Sequence, residues 1–341
     1  MKRLLITLFV LMSLSSFSQD PHFSQYCETP LFLNPANAGF KNDIRAIVNY
    51  RTQWAAVSTP YQTTGLSFDM SLTKDDLANS WMGIGANVYY DWAGDGNLSL
   101  TQGNLNLSGV IRLDAENKLS AGLMGGYGQR SLDYNAFRWQ AQYNGVYNPN
   151  FSSNEAFTQN AYGYFDAGAG IAWSYGTGEK YITANDGVKA DVGVSFFHFG
   201  IPAATFEENN TEKLNLKYVV YGTMELGQAN SNLTFIPQVY WTAQGKLNEL
   251  LLGNKFRYLL QEGSHFTGLR KSTAMGVGVY YRLQDAIIAS FNLDYGNFSV
   301  GFSYDFNISS LTPASNMRGG AEVYLKFVTP NPFSGPSRAK I

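Results

Sequence analysis

After an apolar stretch over residues 4–14, the chain never again runs apolar long enough for a transmembrane helix, which needs about 20 residues. Its side chains instead separate by parity. Ile44, Ala46, Val48, Tyr50 and Trp54 fall on one face, and Arg45, Asn49, Arg51 and Gln53 on the other. A period of two is a β-strand. The polar face is too strongly charged for a sandwich core, and the apolar face ends in aromatics, as in a strand that runs through lipid to a membrane interface. If such a chain crosses a membrane, it does so as a closed barrel, because lipid leaves no open sheet edge satisfied.

The same alternation recurs over residues 61–72, 80–92, 97–113, 119–130, 164–175, 188–199, 214–226, 233–243, 247–258, 273–283, 286–295, 297–306 and 320–327. With the strand from Ile44 this makes about fourteen strands of roughly ten residues, so the sequence predicts an all-β, antiparallel outer-membrane barrel with both termini at its periplasmic side. Residues 114–118 form a short charged turn. Residues 132–162, rich in Asn, Tyr, Gln and Ser and without period, read as the largest extracellular or lumen-folded loop. A second polar loop spans 201–212. Pro237 lacks a ladder N–H, which predicts a bulge in its strand. A large soluble sandwich or lipid carrier shows the same turn spacing but does not need this many strands.

Residues 1–18 read as a secretory signal: Lys2 and Arg3, the apolar run, then Ser16-Phe17-Ser18 as a small-x-small cleavage site. The domains expected are this signal, an N-terminal segment over 19–42, a barrel over 43–328 and a tail over 329–341. A formal charge of −2, with Lys2 and Arg3 adding to it only in the precursor, carries no basic excess and argues against nucleic acid. Only 15% of residues are charged, against 22 Tyr, 23 Phe and 34 Gly, and soluble domains usually carry about 25% charged residues. Cys27 is the sole cysteine, so no internal disulfide exists, and no lipobox precedes it. It reads as a small residue of the N-terminal segment.

Three ordered blocks resemble one family. The first is DPHFSQY with PLFLNPANAG and the NYRTQW strand. The second is Arg138-Trp139, Gln142, Gly145 and Glu155 with YFDAGAGI over 164–171. The third is Arg282 and Asp285-Ala286 with GFSYDFNISSL over 301–311 and GGAEVYLKF over 319–327. Together they look like the PorP/SprF family, outer-membrane proteins of the type IX secretion system of Bacteroidetes. The resemblance implies a non-enzymatic barrel that links motor-linked periplasmic ring proteins to export or surface retention of substrates with C-terminal sorting domains, such as gliding adhesins. No cofactor is implied.

Arg45, Arg51, Arg112, Arg130, Arg257 and Arg282 mostly share the polar parity, and an arginine facing lipid at mid-depth costs about 2–4 kcal/mol, so they are expected to line the lumen. There they form either a filling network with Asp69, Asp166, Asp191, Glu225 and Glu322 or a surface for a protein ligand entering from the periplasm. Asp20, His22, Phe23 and Tyr26 are candidate contacts for periplasmic ring proteins; the alternative is an extended segment tucked against the barrel. His22, His198 and His265 do not form a catalytic constellation: His22 lies in the N-terminal segment, His198 on the apolar parity beside Phe197 and Phe199, and His265 in a polar turn. No two histidines are close enough in sequence for a zinc site. Gly83-x-Gly85, Gly168-x-Gly170 and Gly276-x-Gly278 lie inside strands and read as small residues on the lumen side of a curved sheet rather than as nucleotide loops. The rival function is a channel for small or apolar solutes.

Overall fold

The structure, a computed structural model, describes residues 20–57, 59–72, 79–155, 159–177, 187–206, 212–228, 231–263 and 271–330. The predicted signal, His265 and all but the first two residues of the predicted tail lie outside them. Among the described residues the alternating segments form fourteen strands: β1 (Ile44–Gln53), β2 (Tyr61–Ser71), β3 (Ser80–Ala93), β4 (Leu98–Arg112), β5 (Asn117–Ser131), β6 (Ala161–Gly176), β7 (Val188–Phe197), β8 (Lys217–Gly227), β9 (Leu233–Gln244), β10 (Leu247–Gln261), β11 (Thr273–Arg282), β12 (Ala286–Tyr295), β13 (Phe298–Asn307) and β14 (Arg318–Thr329). Each pairs antiparallel with its sequence neighbours, and β1 closes on β14 in register from Ile44 opposite Thr329 to Gln53 opposite Gly320. Closure leaves no unpaired edge, which is what a hydrocarbon solvent requires.

Parity decides the two faces. On β13, Val300 and Phe302 point outward and are exposed, whereas Ser303 and Asp305 point into the lumen and are buried. The outward row suits lipid, and the inward row needs hydrogen-bonding partners. Pro237 makes no bulge, contrary to the sequence expectation. The β9 ladder to β10 is continuous through Pro237 opposite Asn254. The ladder to β8 has no pairs between Thr223 opposite Gln238 and Leu226 opposite Phe235, yet it resumes in the same register. The missing N–H therefore interrupts pairing on one side without adding a residue.

One end of the barrel carries the start of β1 and the end of β14. The other, called here the far end, carries the connections that follow odd-numbered strands, including the loop between β5 and β6. That loop carries two short 3-10 turns, Tyr134–Ala136 and Gln140–Gln142, and leaves Tyr143 and Val146 exposed.

The lumen is not empty. Residues 20–43 run through it as three short helical turns, Tyr26–Glu28, Pro30–Leu33 and Pro35–Asn37. Phe23, Tyr26, Leu31, Leu33, Ala36, Ala38 and Phe40 are buried there. Tyr26 stacks on Tyr240 of β9 with ring centroids 4.8 Å apart, and Phe32 meets the edge of Tyr89 of β3 at 5.6 Å.

Candidate functional site

The site is the contact between this internal segment and the wall, and it starts from turn chemistry. Asn34 is completely buried. Its Oδ1 accepts from the Ala36 N–H at 2.9 Å, starting the turn, while its Nδ2 donates to the carbonyls of Ile171 on β6 and Val194 on β7 at 2.9 and 3.2 Å. The wall supplies donors to the turn in return. Ser120 Oγ donates to Ala36 O and Ser108 Oγ to Ala38 O, both at 2.6 Å; Trp81 Nε1 donates to Gly39 O at 2.9 Å; Ser195 Oγ donates to Leu33 O. The backbone approaches this closely only because the wall has no side chain there: a Cβ on Gly122 would sit 2.4 Å from Ala36 N, and one on Gly83 would sit 2.1 Å from Ala38 O.

Charge clamps the segment at three heights. Near the β1 end, Arg45 donates to Asp69 through Nε at 2.8 Å and Nη2 at 3.1 Å, and its Nη2 also reaches Asn37 O at 3.2 Å. The Gly39 N–H donates to the same carboxylate at 3.0 Å. Towards the far end, Arg51 lies between Asp305 (2.9 Å) and Glu322 (3.3 Å), and Arg282 Nη1 is 3.1 Å from Asp305. Ser24 threads this cluster: its N–H donates to Glu322 at 2.7 Å and its hydroxyl to Asp305, while both arginines donate to Ser24 Oγ. Such a cluster tolerates burial because each charge meets an opposite one and further hydrogen bonds.

The third clamp sits at the far rim. His198 Nε2 is 2.8 Å from Asp20 Oδ2, and its Nδ1 lies 3.0 Å from Asp166 Oδ1, close but off line for a hydrogen bond. Lys217 Nζ reaches the same Asp20 oxygen at 3.2 Å. Burial alone would lower the imidazole, but the charge and hydrogen bond of the Asp20 carboxylate and the nearby Asp166 carboxylate outweigh it and raise His198 to about 9. Burial would raise Asp20, but His198 and Lys217 outweigh it and hold that carboxylate well below its usual range. His198 has φ 65°, an uncommon left-handed conformation for a non-glycine residue. The turn takes it off the apolar parity, so the expected interfacial histidine is a buried lumen residue.

Several sequence expectations change here. Asp20, His22, Phe23 and Tyr26 lie inside the lumen, Phe23 and Tyr26 buried and Asp20 and His22 half-buried, because the segment's aromatic and apolar side chains find cover in the barrel itself. Arg51 and Arg282 both bond Ser24 of this chain's own N-terminal segment. Asp305 and Glu249 complete the arginine cluster and were missed, as was Lys41, which pairs with Asp191. Asp166 serves His198, and Glu225 faces Lys189 at 3.8 Å. Arg112 lies 6.0 Å over the Trp81 ring and Arg130 bonds Tyr162. Asp20 at the far rim also shows that the segment and the C-terminal strand finish at opposite ends, not together as predicted.

The family of the type IX secretion system membrane protein PorP/SprF matches residues 15–327. The chain belongs to the PorP/SprF family. No functionally curated protein matches it. Among solved structures, a FadL homologue from Pseudomonas aeruginosa is 12% identical, with 89% of this chain and 94% of that chain covered and a TM-score of 0.51. A deletion mutant of the TodX monoaromatic hydrocarbon channel is 9% identical over 88% and 94%, with a TM-score of 0.48. Identities this low show the outer-membrane barrel fold alone.

This PorP/SprF barrel keeps a hydrophilic space beside its internal segment. A chamber of about 280 Å³ lies towards the β1 end. Lys326 and Lys255 face Glu28 of the segment at 2.7 and 3.9 Å, Arg257 pairs with Asp294 at 3.2 Å, and Lys41 pairs with Asp191. Among the described residues, no group of three His, Cys, Asp or Glu could hold a metal ion.

Proposed function

We propose that this PorP/SprF protein is a plugged docking barrel, a non-enzymatic component of type IX secretion that links periplasmic ring or motor-linked proteins to export or surface retention of substrates such as gliding adhesins. The observation that carries the reading is the lumen segment, bonded to the wall at three heights, which argues against a permanently open solute channel. The β1 end then faces the periplasm, as the long β5–β6 connection at the opposite end favours. The partner contact falls to the charged chamber at the β1 end, because Asp20, His22, Phe23 and Tyr26 are covered. Its mixture of signs suits a hydrophilic protein segment, in which each charge can find a complement.

Photo-crosslinking from position 255 or 257 in native outer membrane tests this, with position 300 on the lipid face as the control. Periplasmic secretion components are expected from the chamber positions and not from the control. Recovery of none from the chamber, with the barrel folded, would remove the docking role.

A further inference from the structure

The two sides of the charged chamber are balanced differently. On the β1 and β7–β8 side each cation has its own carboxylate: Arg45 has Asp69 at 2.8 Å, Lys41 has Asp191, and Lys189 has Glu225 at 3.8 Å. On the β10–β14 side Lys255, Arg257 and Lys326 face only Asp294 and Glu28. Arg257 takes Asp294 at 3.2 Å. That leaves two lysines, one on β10 and one on β14, to share Glu28 of the internal segment. Lys326 Nζ donates to Glu28 Oε2 at 2.7 Å, whereas Lys255 Nζ lies 3.9 Å from Oε1, beyond hydrogen-bond reach. Among the described residues Lys255 makes no hydrogen bond, although its ammonium carries three donors and its side chain is mostly covered.

We propose, on the basis of the docking role, that Lys255 and Lys326 form a carboxylate site for an acidic segment of the partner, and that Glu28 competes for it from inside. An arriving carboxylate gives Lys255 the acceptor it lacks and brings this side of the chamber to one negative charge for each positive. A charge-assisted bond to a partly covered ammonium is stronger than a neutral one. The way in is from the β1 end, where the Lys41 and Glu225 side chains are 43% and 40% exposed. A cationic segment would find the chamber's carboxylates already paired and would meet the surplus lysine, which disfavours it. The Arg51 and His198 clamps do not use Glu28, so the internal segment stays seated while the site fills.

Fluorescence anisotropy of a hexaglutamate peptide with an uncharged dye, added to the purified barrel in detergent at low ionic strength, tests the site, with hexalysine as the control. Hexaglutamate is expected to bind and hexalysine is not. Lys255→Gln should weaken hexaglutamate about tenfold, as loss of a charge-assisted hydrogen bond does, whereas Glu28→Gln should tighten it. Residues that only support the fold would move binding in the same direction. Absence of hexaglutamate binding, equal binding of hexalysine, an unchanged Lys255→Gln or a weaker Glu28→Gln overturns the proposal. Should either variant lose its heat-modifiable mobility, the unaltered barrel is photolabelled with hexaglutamate carrying a benzophenone. Attachment to peptides covering 247–261 or 318–329 supports the site, and attachment elsewhere or nowhere overturns it. Docking is judged apart, by crosslinking from position 257, which leaves both lysines in place. Capture of secretion components there without hexaglutamate binding keeps the docking role and removes the acidic partner; hexaglutamate binding without capture keeps the carboxylate site but overturns its use by a docking partner.

Discussion

Replacing Asn34 by Ala tests the hold of the wall on the internal segment, since Asn34 belongs to no strand and its Nδ2 donates to two wall carbonyls. It removes the donors to Ile171 O and Val194 O and the acceptor for the Ala36 N–H. The bond to Ala36 lies within the segment, so the two bonds to the wall count towards release, and at about 1 kcal/mol each they give roughly 2 kcal/mol. At about 1.4 kcal/mol per tenfold, the population with the segment released should rise roughly 30-fold. Hydrogen exchange in detergent, read by mass spectrometry on peptides covering 30–42, reports that population. Those peptides should lose protection while peptides from β11 to β13 keep theirs. If the segment exchanges as slowly as before, the hydrogen bonds do not hold it. If it and the strands lose protection together, it is part of one cooperative barrel and not a separable plug.

Val300→Arg should cost about 2–4 kcal/mol by placing a charge in lipid and block assembly, whereas Ser299→Arg, on the lumen parity, should be tolerated; heat-modifiable gel mobility distinguishes them. Arg51→Met leaves Glu322 without its arginine and should destabilise by about 3–5 kcal/mol, read from the urea midpoint of the heat-modifiable form. His198 is raised from 6.5 to about 9, so its contribution is complete below about pH 6.5 and is lost as pH rises through 9. Peptides covering 20–28 should accordingly lose exchange protection between about pH 7 and pH 10, and His198→Gln should flatten that dependence.

Most of the wall was legible because lipid imposes parity on it. Val300, Phe302, Ser303 and Asp305 fall where alternation puts them, and so do Arg45 and Arg51. The internal segment has no period to read: Phe23, Leu31, Leu33 and Phe40 are spaced by short helical turns. Its apolar content says only that something covers it. The signal that could have placed it was on the wall, where Gly83, Gly85 and Gly170 share the lumen parity; small residues facing inward leave room for a backbone or an apolar side chain, and Leu31 packs against Gly85. The ends were misjudged because an even strand count locates the start of β1, not a segment that first traverses the lumen. His198 escaped because its departure from strand parity rests on one left-handed residue. Asp305 and Glu249 sit on predicted strands, but pairing them with Arg51 and Arg282 requires the closed order β1, β14, β13, β12, β11, β10, which no local pattern contains.

The central claim is that the lumen is closed by the chain's own residues 20–43, and conductance in a planar bilayer tests it most directly. The intact mature barrel should be silent, and a folded barrel lacking residues 20–42 should show steady, ohmic steps. Steady conductance from the intact protein, equal to that of the deletion, would contradict the claim.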